Sequence, residues 1–190
     1  PGAAPVGIKI NGVQHEFTTI KGVMEDVVDI VLNIKNLAVK AFDTTKDFST
    51  VLTLNKYGAG EVTAADFEPN DLVEILNPEL HICSLDDGAK FELEVFIGRG
   101  RGYVPADANK KEDMPIGYIA VDSIFTPVKK VNYTVENTRV GQYIDRETLA
   151  VEVWTDGTIS AKESVSLGAK VLNEHLSLFA DLSAEAFSTE

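Results

Sequence analysis

The 190-residue sequence has little cysteine, no long apolar run and few basic residues. Its single cysteine, Cys83, excludes an intrachain disulfide and a metal site built from several cysteines, and a lone thiol is typical of the reducing cytosol. Seventeen Lys and Arg against thirty Asp and Glu give a net charge of -13, which disfavours direct nucleic-acid binding because that binding rests on cations neutralising phosphates. No apolar run approaches the ~20 residues that span a bilayer, and no signal peptide is recognisable, so we expect a cytoplasmic protein without membrane contact.

Recognisable catalytic constellations are also missing. His15, His81 and His175 stand apart in the sequence, and none has a second ligand at the spacing of a zinc motif. We expect each histidine to have a packing role rather than a catalytic one. There is no G-x-S-x-G nucleophile motif, and Cys83 lies in an apolar strand-like segment, where a thiol is usually inert. The sequence therefore predicts no catalytic residue, no metal and no cofactor.

The amino-terminal residues predict a hairpin followed by a helix. Asn11-Gly12 is a strong hairpin signal, since both turn positions need a positive φ, and it separates the strand-like segments 6–10 and 13–17. Residues 22–37 have the pattern of a helix that begins with Gly22 as its N-cap. The apolar arc of this helix is about twice as wide as packing on one layer requires, so we expect something beyond the local sheet to cover it. Lys35 projects from inside that arc.

Residues 37–128 have the pattern of short strands. The strand-like segments are 51–54, 73–76, 80–83, 91–95 and 119–125, and two more follow at 129–137 and 149–154. Residues 98–102 and 105–115 are interpreted as loops. The order of elements predicts an α+β fold. Pro127 marks the predicted boundary, because the patterns before and after it differ.

The last predicted element is a helix over residues 160–182. Ser160 and Glu163 form the S-x-x-E capping box that opens many helices. At about 100° per residue the apolar side chains form two adjacent stripes. The first stripe contains Val165, Gly168, Ala169, Leu172, Leu176 and Phe179, and the second contains Leu167, Val171, Leu178 and Leu182. Two stripes indicate two packing surfaces, one against the chain's own sheet and one against a partner subunit.

The segment Gly98-Arg99-Gly100-Arg101-Gly102-Tyr103 departs from a dinucleotide-binding loop. Its last position is Tyr103 where G-x-G-x-x-G needs glycine, and no Walker lysine follows. In a chain of net charge -13 the two arginines alone do not indicate nucleic-acid binding. We interpret the segment as a turn in which Arg99 and Arg101 pair with acidic groups, either on this chain or on a partner.

Five strings occur in order along the chain. They are residues 13–26 (VQHEFTTIKGVMED), 60–66 (GEVTAAD), 99–106 (RGRGYVPA), 115–117 (PIG) and 133–142 (YTVENTRVGQ). Together they resemble the amino-terminal domain of the bacterial RNA polymerase α subunit, in the form of low-GC Gram-positive bacteria, and the resemblance runs from residue 1 to about residue 187. It implies a homodimeric scaffold on which the large catalytic subunits β and β′ assemble. The chain would then act in nucleotidyl transfer only as a subunit of the polymerase, without catalytic residues of its own.

The resemblance also implies roles for particular residues. Residues 1–127 correspond to an inserted, mainly antiparallel β subdomain with one helix that contacts the large subunits. Residues 128–190 correspond to the remaining part of a sheet-plus-helix dimerisation subdomain. Lys35 matches a family position associated with large-subunit contact, and Arg99 and Arg101, in a characteristic family loop, are assigned to the same contact. The helix over 160–182 matches a dimerisation helix of the family. Its assigned interface residues are Val165, Leu167, Val171, Leu172, Leu176 and Phe179.

Parts of the family pattern are expected to lie outside this chain. They are the first strand and long dimerisation helix, which precede the position of Pro1, and the carboxy-terminal DNA-binding domain. The loop at 110–113 matches a place where some members carry an acidic activator-contact patch, but here it is shorter and mixed in charge. The alternative from a different class is a stand-alone small-molecule-binding or enzymatic α+β domain. It would need a pocket with converging polar groups, and no such set is visible in the sequence.

Overall fold

Residues 2–187 are described by a computed structural model, with side chains described as far as residue 182. The elements, in chain order, are β1 (Gly2–Ile10), α1 (Val27–Ile34), β2 (Val39–Ala41), β3 (Ser49–Tyr57), β4 (Gly60–Thr63), β5 (Val73–Ile75), β6 (His81–Leu85), β7 (Lys90–Gly100), β8 (Tyr103–Val104), α2 (Ala106–Asn109), β9 (Tyr118–Ala120), β10 (Ser123–Ile124), β11 (Val128–Val140), β12 (Tyr143–Thr155) and α3 (Ala161–Phe187). A 3-10 turn follows β4 at Ala64–Asp66. The chain divides into two compact units between Pro127 and Val128. Its antiparallel strands and separate helices confirm the predicted α+β class.

The first unit is built on a four-stranded antiparallel sheet in the order β3-β7-β1-β9. Strand β7 alternates cleanly, so that Phe91, Leu93, Val95 and Ile97 are all buried on one face. Helix α1 adds buried Val27, Ile30 and Ile34, at helical spacing, to the same core. The two-stranded pairs β2-β5, β4-β6 and β8-β10 complete this unit.

The predicted amino-terminal hairpin is wrong. Gly12 has a φ of +82°, and the Val13 N–H donates to the Ile10 carbonyl at 3.1 Å, so the turn forms. However, residues 13–17 are not a strand, because β1 pairs with β7 on one side and with β9 on the other. Residues 14–17 are exposed and bury little apolar surface. They also have no free edge of β1 to pair with, because β7 and β9 occupy both edges.

The first helix is shorter than predicted at both ends. Asp26 is its N-cap, and the backbone N–H of Asp26 donates to the Asp29 carboxylate at 3.4 Å. Gly22 has a φ of +79°, which suits a turn, and Lys35 is the C-cap. The segment at 98–102 also differs from its prediction, since β7 remains a paired strand as far as Gly100.

The second unit consists of the ribbon β11-β12 and the long helix α3. The ribbon reverses at Gly141, whose φ is +62°. The predicted capping box opens α3, because the Ser160 N–H donates to Glu163 Oε2 at 3.0 Å and the Glu163 N–H donates to Ser160 Oγ at 3.1 Å. None of the described side chains at 128–182 is fully buried. A two-stranded ribbon is marginally stable by itself, so this unit has too little core to stand alone.

Candidate subunit-contact surfaces

Lys35 is held within the fold by an ion pair. Its Nζ donates to Asp122 Oδ2 at 2.8 Å, and about a quarter of each side chain is exposed. The other oxygen of Asp122 accepts the Ala106 N–H at 2.8 Å, so one carboxylate joins the end of α1 to the start of α2. The hydrogen bond from Lys35, followed by that from Ala106, holds the pKa of Asp122 below its ordinary value. Lys35 therefore fixes the position of two helix ends as well as presenting part of a cation at the surface.

Arg99 and Arg101 lie at the end of β7 and have different environments. Arg99 is half-buried, and its Nη1 donates to the backbone carbonyl of Asp43 at 3.4 Å. Arg101 is exposed, and its guanidinium makes no hydrogen bond or ion pair within residues 2–187. Among the described residues, therefore, neither arginine forms the predicted salt bridge with an acidic side chain, since Arg99 bonds a backbone carbonyl and Arg101 has no partner. The two arginines line an open cleft of about 310 Å³ together with Thr44, Lys46 and Gly100.

Neither predicted stripe of α3 is covered within the described chain. In the first stripe Leu172 is 66% and Phe179 is 72% exposed, and in the second Leu178 is 69% exposed. The other assigned interface residues, Val165, Leu167, Val171 and Leu176, are each at least half exposed. The expectation that one stripe packs on the chain's own sheet is therefore wrong here. The two strands of the ribbon are only about 5 Å apart, which is narrower than a helix with its side chains, so the ribbon cannot cover both stripes.

The ribbon has an apolar face of its own, which the sequence did not reveal. The register places three apolar pairs directly opposite each other on alternate positions, hence on one face. These pairs are Val131 with Val153, Tyr133 with Val151, and Val135 with Leu149. Most of these side chains are exposed. We call these six residues the ribbon face. Its recognition requires the pairing of β11 with β12, whereas the sequence shows only two apolar-rich segments.

A cluster of Glu25, His81 and Glu61 was likewise not predicted. His81 Nε2 lies 2.9 Å from Glu25, its Nδ1 lies 2.9 Å from Glu61, and Glu25 also accepts the Ser84 N–H at 2.7 Å. Hydrogen bonds to Glu25 and then Glu61 raise the pKa of His81. Partial burial opposes ionisation of Glu25, but hydrogen bonds from His81 and Ser84 outweigh it and lower the pKa of Glu25. His81 is thus not isolated, and it ties the segment before α1 to β4 and β6.

The remaining reactive groups have structural environments. Cys83 is fully buried, as expected from its apolar strand, and burial raises the pKa of its thiol to about 12. Lys110 pairs with Asp107 at 3.0 Å, so one of the two lysines of the 110–113 loop is partly neutralised. Across residues 2–187 no group of three or more His, Cys, Asp or Glu side chains is arranged to hold a metal. Within the same range, every helix is too short or too polar to cross a membrane.

Comparison with known families decides the identity of the first unit. The family described as RNA polymerase Rpb3/RpoA insert domain matches residues 8–126, which are more than half of the chain. The chain belongs to this family. The insert-domain match begins within β1 and ends after β10, so it includes Lys35, Arg99 and Arg101 and leaves α3 outside.

A full-length similarity extends beyond the insert domain. All 190 residues align at 51% identity with the DNA-directed RNA polymerase subunit alpha of Bacillus velezensis, and the chain spans 60% of that relative's length. The two findings confirm the resemblance to the amino-terminal part of a bacterial α subunit. In this insert-domain protein, the cations Lys35, Arg99 and Arg101 lie in the matched unit. The exposed apolar surfaces lie in the second unit. That unit lies outside the insert-domain match, but it is covered by the similarity to the Bacillus velezensis subunit.

Proposed function

We propose that this chain is a non-catalytic assembly scaffold of DNA-directed RNA polymerase, which forms a dimer and docks the β and β′ subunits in the bacterial cytoplasm. The proposal rests on one observation, namely that residues 128–182 expose two helix stripes and a ribbon face in a chain that belongs to a polymerase family. Apolar patches of this extent usually mark protein–protein interfaces. Nucleotidyl transfer would be performed by the assembled polymerase, with this chain as one of its subunits.

The free energy gained by burying the apolar side chains of α3 is of the size that dimerisation requires. Full burial of a leucine side chain stabilises by about 1.5–3 kcal/mol, so covering Leu172 or Leu176, each roughly two-thirds exposed, contributes about 1–2 kcal/mol. Association itself costs about 4–15 kcal/mol in lost freedom. One leucine is therefore insufficient, but the six assigned residues of α3 and the six of the ribbon face together can exceed that cost. The proposed interface uses these residues as a set.

Docking of the large subunits is assigned to the insert domain. Lys35 would support docking in two ways. Its ion pair with Asp122 holds the end of α1 against the start of α2, and the exposed quarter of its side chain can contact a large subunit. The Arg101 guanidinium has no partner among the described residues, and its planar shape is well suited to bidentate pairing across an interface. Arg99 is tied to Asp43 and would orient the neighbouring loop.

The alternative of a stand-alone binding or enzymatic domain has no observation in its favour among the described residues. Ser123 is the fully buried polar side chain of that range, and its hydroxyl donates to the Pro5 carbonyl at 2.6 Å. Its hydrogen bond is thus used within the fold, whereas a ligand pocket would have polar groups converging on empty space.

The direct test is to mix the 190-residue chain with purified β and purified β′ and to follow complex formation by size-exclusion chromatography with light scattering. We expect the chain to co-elute with at least one large subunit at micromolar concentration. Elution separate from both, under conditions in which a full-length α subunit binds, would contradict the scaffold assignment for this chain.

A further inference from the structure

The end of β7 leaves one strand edge open beside a charged loop. Strand β3 pairs with β7 only as far as Gly98, which lies opposite Ser49, whereas β1 continues to pair with Arg99 and Gly100. The segment before β3 is not paired with β7, and its Thr44 and Lys46 line one cleft together with Arg99, Gly100 and Arg101. The cleft of about 310 Å³ forms where β7 extends past its neighbour.

Three cations meet in this cleft, in a chain whose net charge is -13. Lys46 and Arg101 are both exposed, and neither makes an ion pair within the described residues. Arg99 donates to the Asp43 carbonyl, which holds the 43–46 loop against the end of β7. The loop is also braced internally, because the Asp43 carboxylate accepts the Thr45 N–H at 2.8 Å. The arrangement therefore consists of one anchored cation and two free ones.

The chemistry of the cleft favours carboxylates over phosphates. Phosphate sites typically use several free backbone N–H groups, as in a helix N-terminus or a glycine-rich nest. Here the glycines at 98 and 100 lie in an extended strand rather than in a nest or at a helix N-terminus, so the side chains of Lys46, Arg99 and Arg101 supply most of the donors. Guanidinium groups pair bidentately with carboxylates.

We propose that this cleft binds an acidic segment of a large polymerase subunit, with Arg101 and Lys46 contacting its carboxylates and Arg99 positioning the 43–46 loop. The inference rests on the proposed scaffold function and deepens it. It adds Lys46 to the docking site, names the chemistry of the segment that the site accepts, and separates Arg99 from Arg101 by role. Charge complementarity supports it, because these cations lie together on an otherwise strongly acidic chain.

The binding of carboxylates by this cleft can be tested without any large subunit. The 190-residue chain is titrated with a hexaglutamate peptide at low ionic strength, and binding is followed by calorimetry. We expect Arg101→Glu and Lys46→Glu each to weaken binding about tenfold or more, since a charge-assisted pair is replaced by repulsion. Lys90→Glu is the matched control, because it changes the net charge equally at an exposed site on the same strand, about 30 Å from the cleft. It should change the affinity less than about twofold.

Two results of the titration would overturn the carboxylate assignment. One is an equal loss of affinity in all three variants, which would show that only the net charge matters. The other is tighter binding of inorganic pyrophosphate than of hexaglutamate through Arg101 and Lys46, which would show a phosphate site. Arg101→Lys keeps the charge and loses the bidentate geometry, so an intermediate affinity supports the proposed contact. Because Arg101 and Lys46 are exposed and unpaired, the variants should melt like the wild type.

Co-elution with purified β and β′ then separates this inference from the proposed function. Wild-type binding that Arg101→Glu and Lys46→Glu weaken about tenfold, while Lys90→Glu does not, supports both. If the wild type and all three variants bind the large subunits equally well, the scaffold function is supported and the cleft is excluded as a docking site. Failure of the wild type to bind either subunit, with hexaglutamate binding retained, overturns the large subunit as occupant and contradicts the scaffold function.

Discussion

The ion pair of Lys35 with Asp122 makes a quantitative prediction about what Lys35 does. A hydrogen bond to a charged group contributes about 1.5–3 kcal/mol, and the partial exposure of both side chains reduces this to about 1–2 kcal/mol through solvent screening. Lys35→Met should therefore lower the free energy of unfolding of the first unit by about 1–2 kcal/mol. That loss corresponds to a fall of about 3–10 °C in Tm for a unit of this size. Lys90→Met, which removes an exposed lysine without an ion pair, should change the stability by less than about 0.5 kcal/mol.

A double-mutant cycle with Asp122→Asn isolates the interaction. Urea unfolding should be followed by far-ultraviolet circular dichroism, because the single tryptophan, Trp154, lies in the second unit. The coupling energy between Lys35 and Asp122 should be about 1 kcal/mol or more. A coupling near zero, or equal stability of Lys35→Met and Lys90→Met, would refute the structural role of Lys35 and leave it as a surface contact alone.

The pH dependence supplies an independent check on the same pair. Since the pKa of Asp122 is lowered in the folded state, the stabilisation is fully present above its ordinary value of 3.8 and is lost as the pH falls through the folded pKa. The difference in stability between the wild type and Lys35→Met should therefore be constant from about pH 5 to pH 8 and shrink below pH 3.8. A difference that persists unchanged in acid would point to packing rather than to the ion pair.

Two further predictions concern the groups inside the first unit. Hydrogen bonds to Glu25 and Glu61 raise the pKa of His81, so its paired cation stabilises the fold below the ordinary value of 6.5 and the contribution is lost as the pH rises through the raised folded pKa. His81→Gln should therefore be less stable than the wild type by about 1 kcal/mol at pH 6, a figure discounted for the exposure of His81, and the gap should narrow by pH 9. A gap independent of pH would contradict the charged pairing. The buried Cys83 thiol, with a pKa of about 12, should react with a thiol reagent at pH 8 only after urea unfolding, and rapid native labelling would show that β6 is open to solvent.

Local signals predicted local structure well when the residues involved were neighbours in sequence. The Ser160 and Glu163 capping box marked the start of α3, and the alternation at 91–95 marked β7, because each depends only on backbone geometry within a few residues. The Asn11-Gly12 turn also formed. Its second strand did not, since pairing was decided by the apolar surface of β7 and β9, which lie far along the chain.

The groups that define the candidate surfaces depend on tertiary pairing. Glu61 and His81 meet only because β4 pairs with β6, and Glu25 reaches them from the segment just before Asp26, the N-cap of α1. The ribbon face requires the register of β11 against β12, which a one-residue slip would reverse. The partner of Lys35 lies 87 residues away and has no signal in the local sequence.

Sedimentation of the 190-residue chain over a range of concentrations tests most directly whether the uncovered surfaces at 128–182 are interfaces. We predict a reversible dimer at micromolar concentration that Leu172→Asp or Leu176→Asp weakens about 100-fold or more, because each dimer would lose two buried leucines and gain two charges. Asn173→Asp introduces the same side chain on the polar arc of α3 and should leave the dimer intact. A strict monomer at high concentration, or equal behaviour of Leu172→Asp and Asn173→Asp, would contradict the assignment of α3 as an interface.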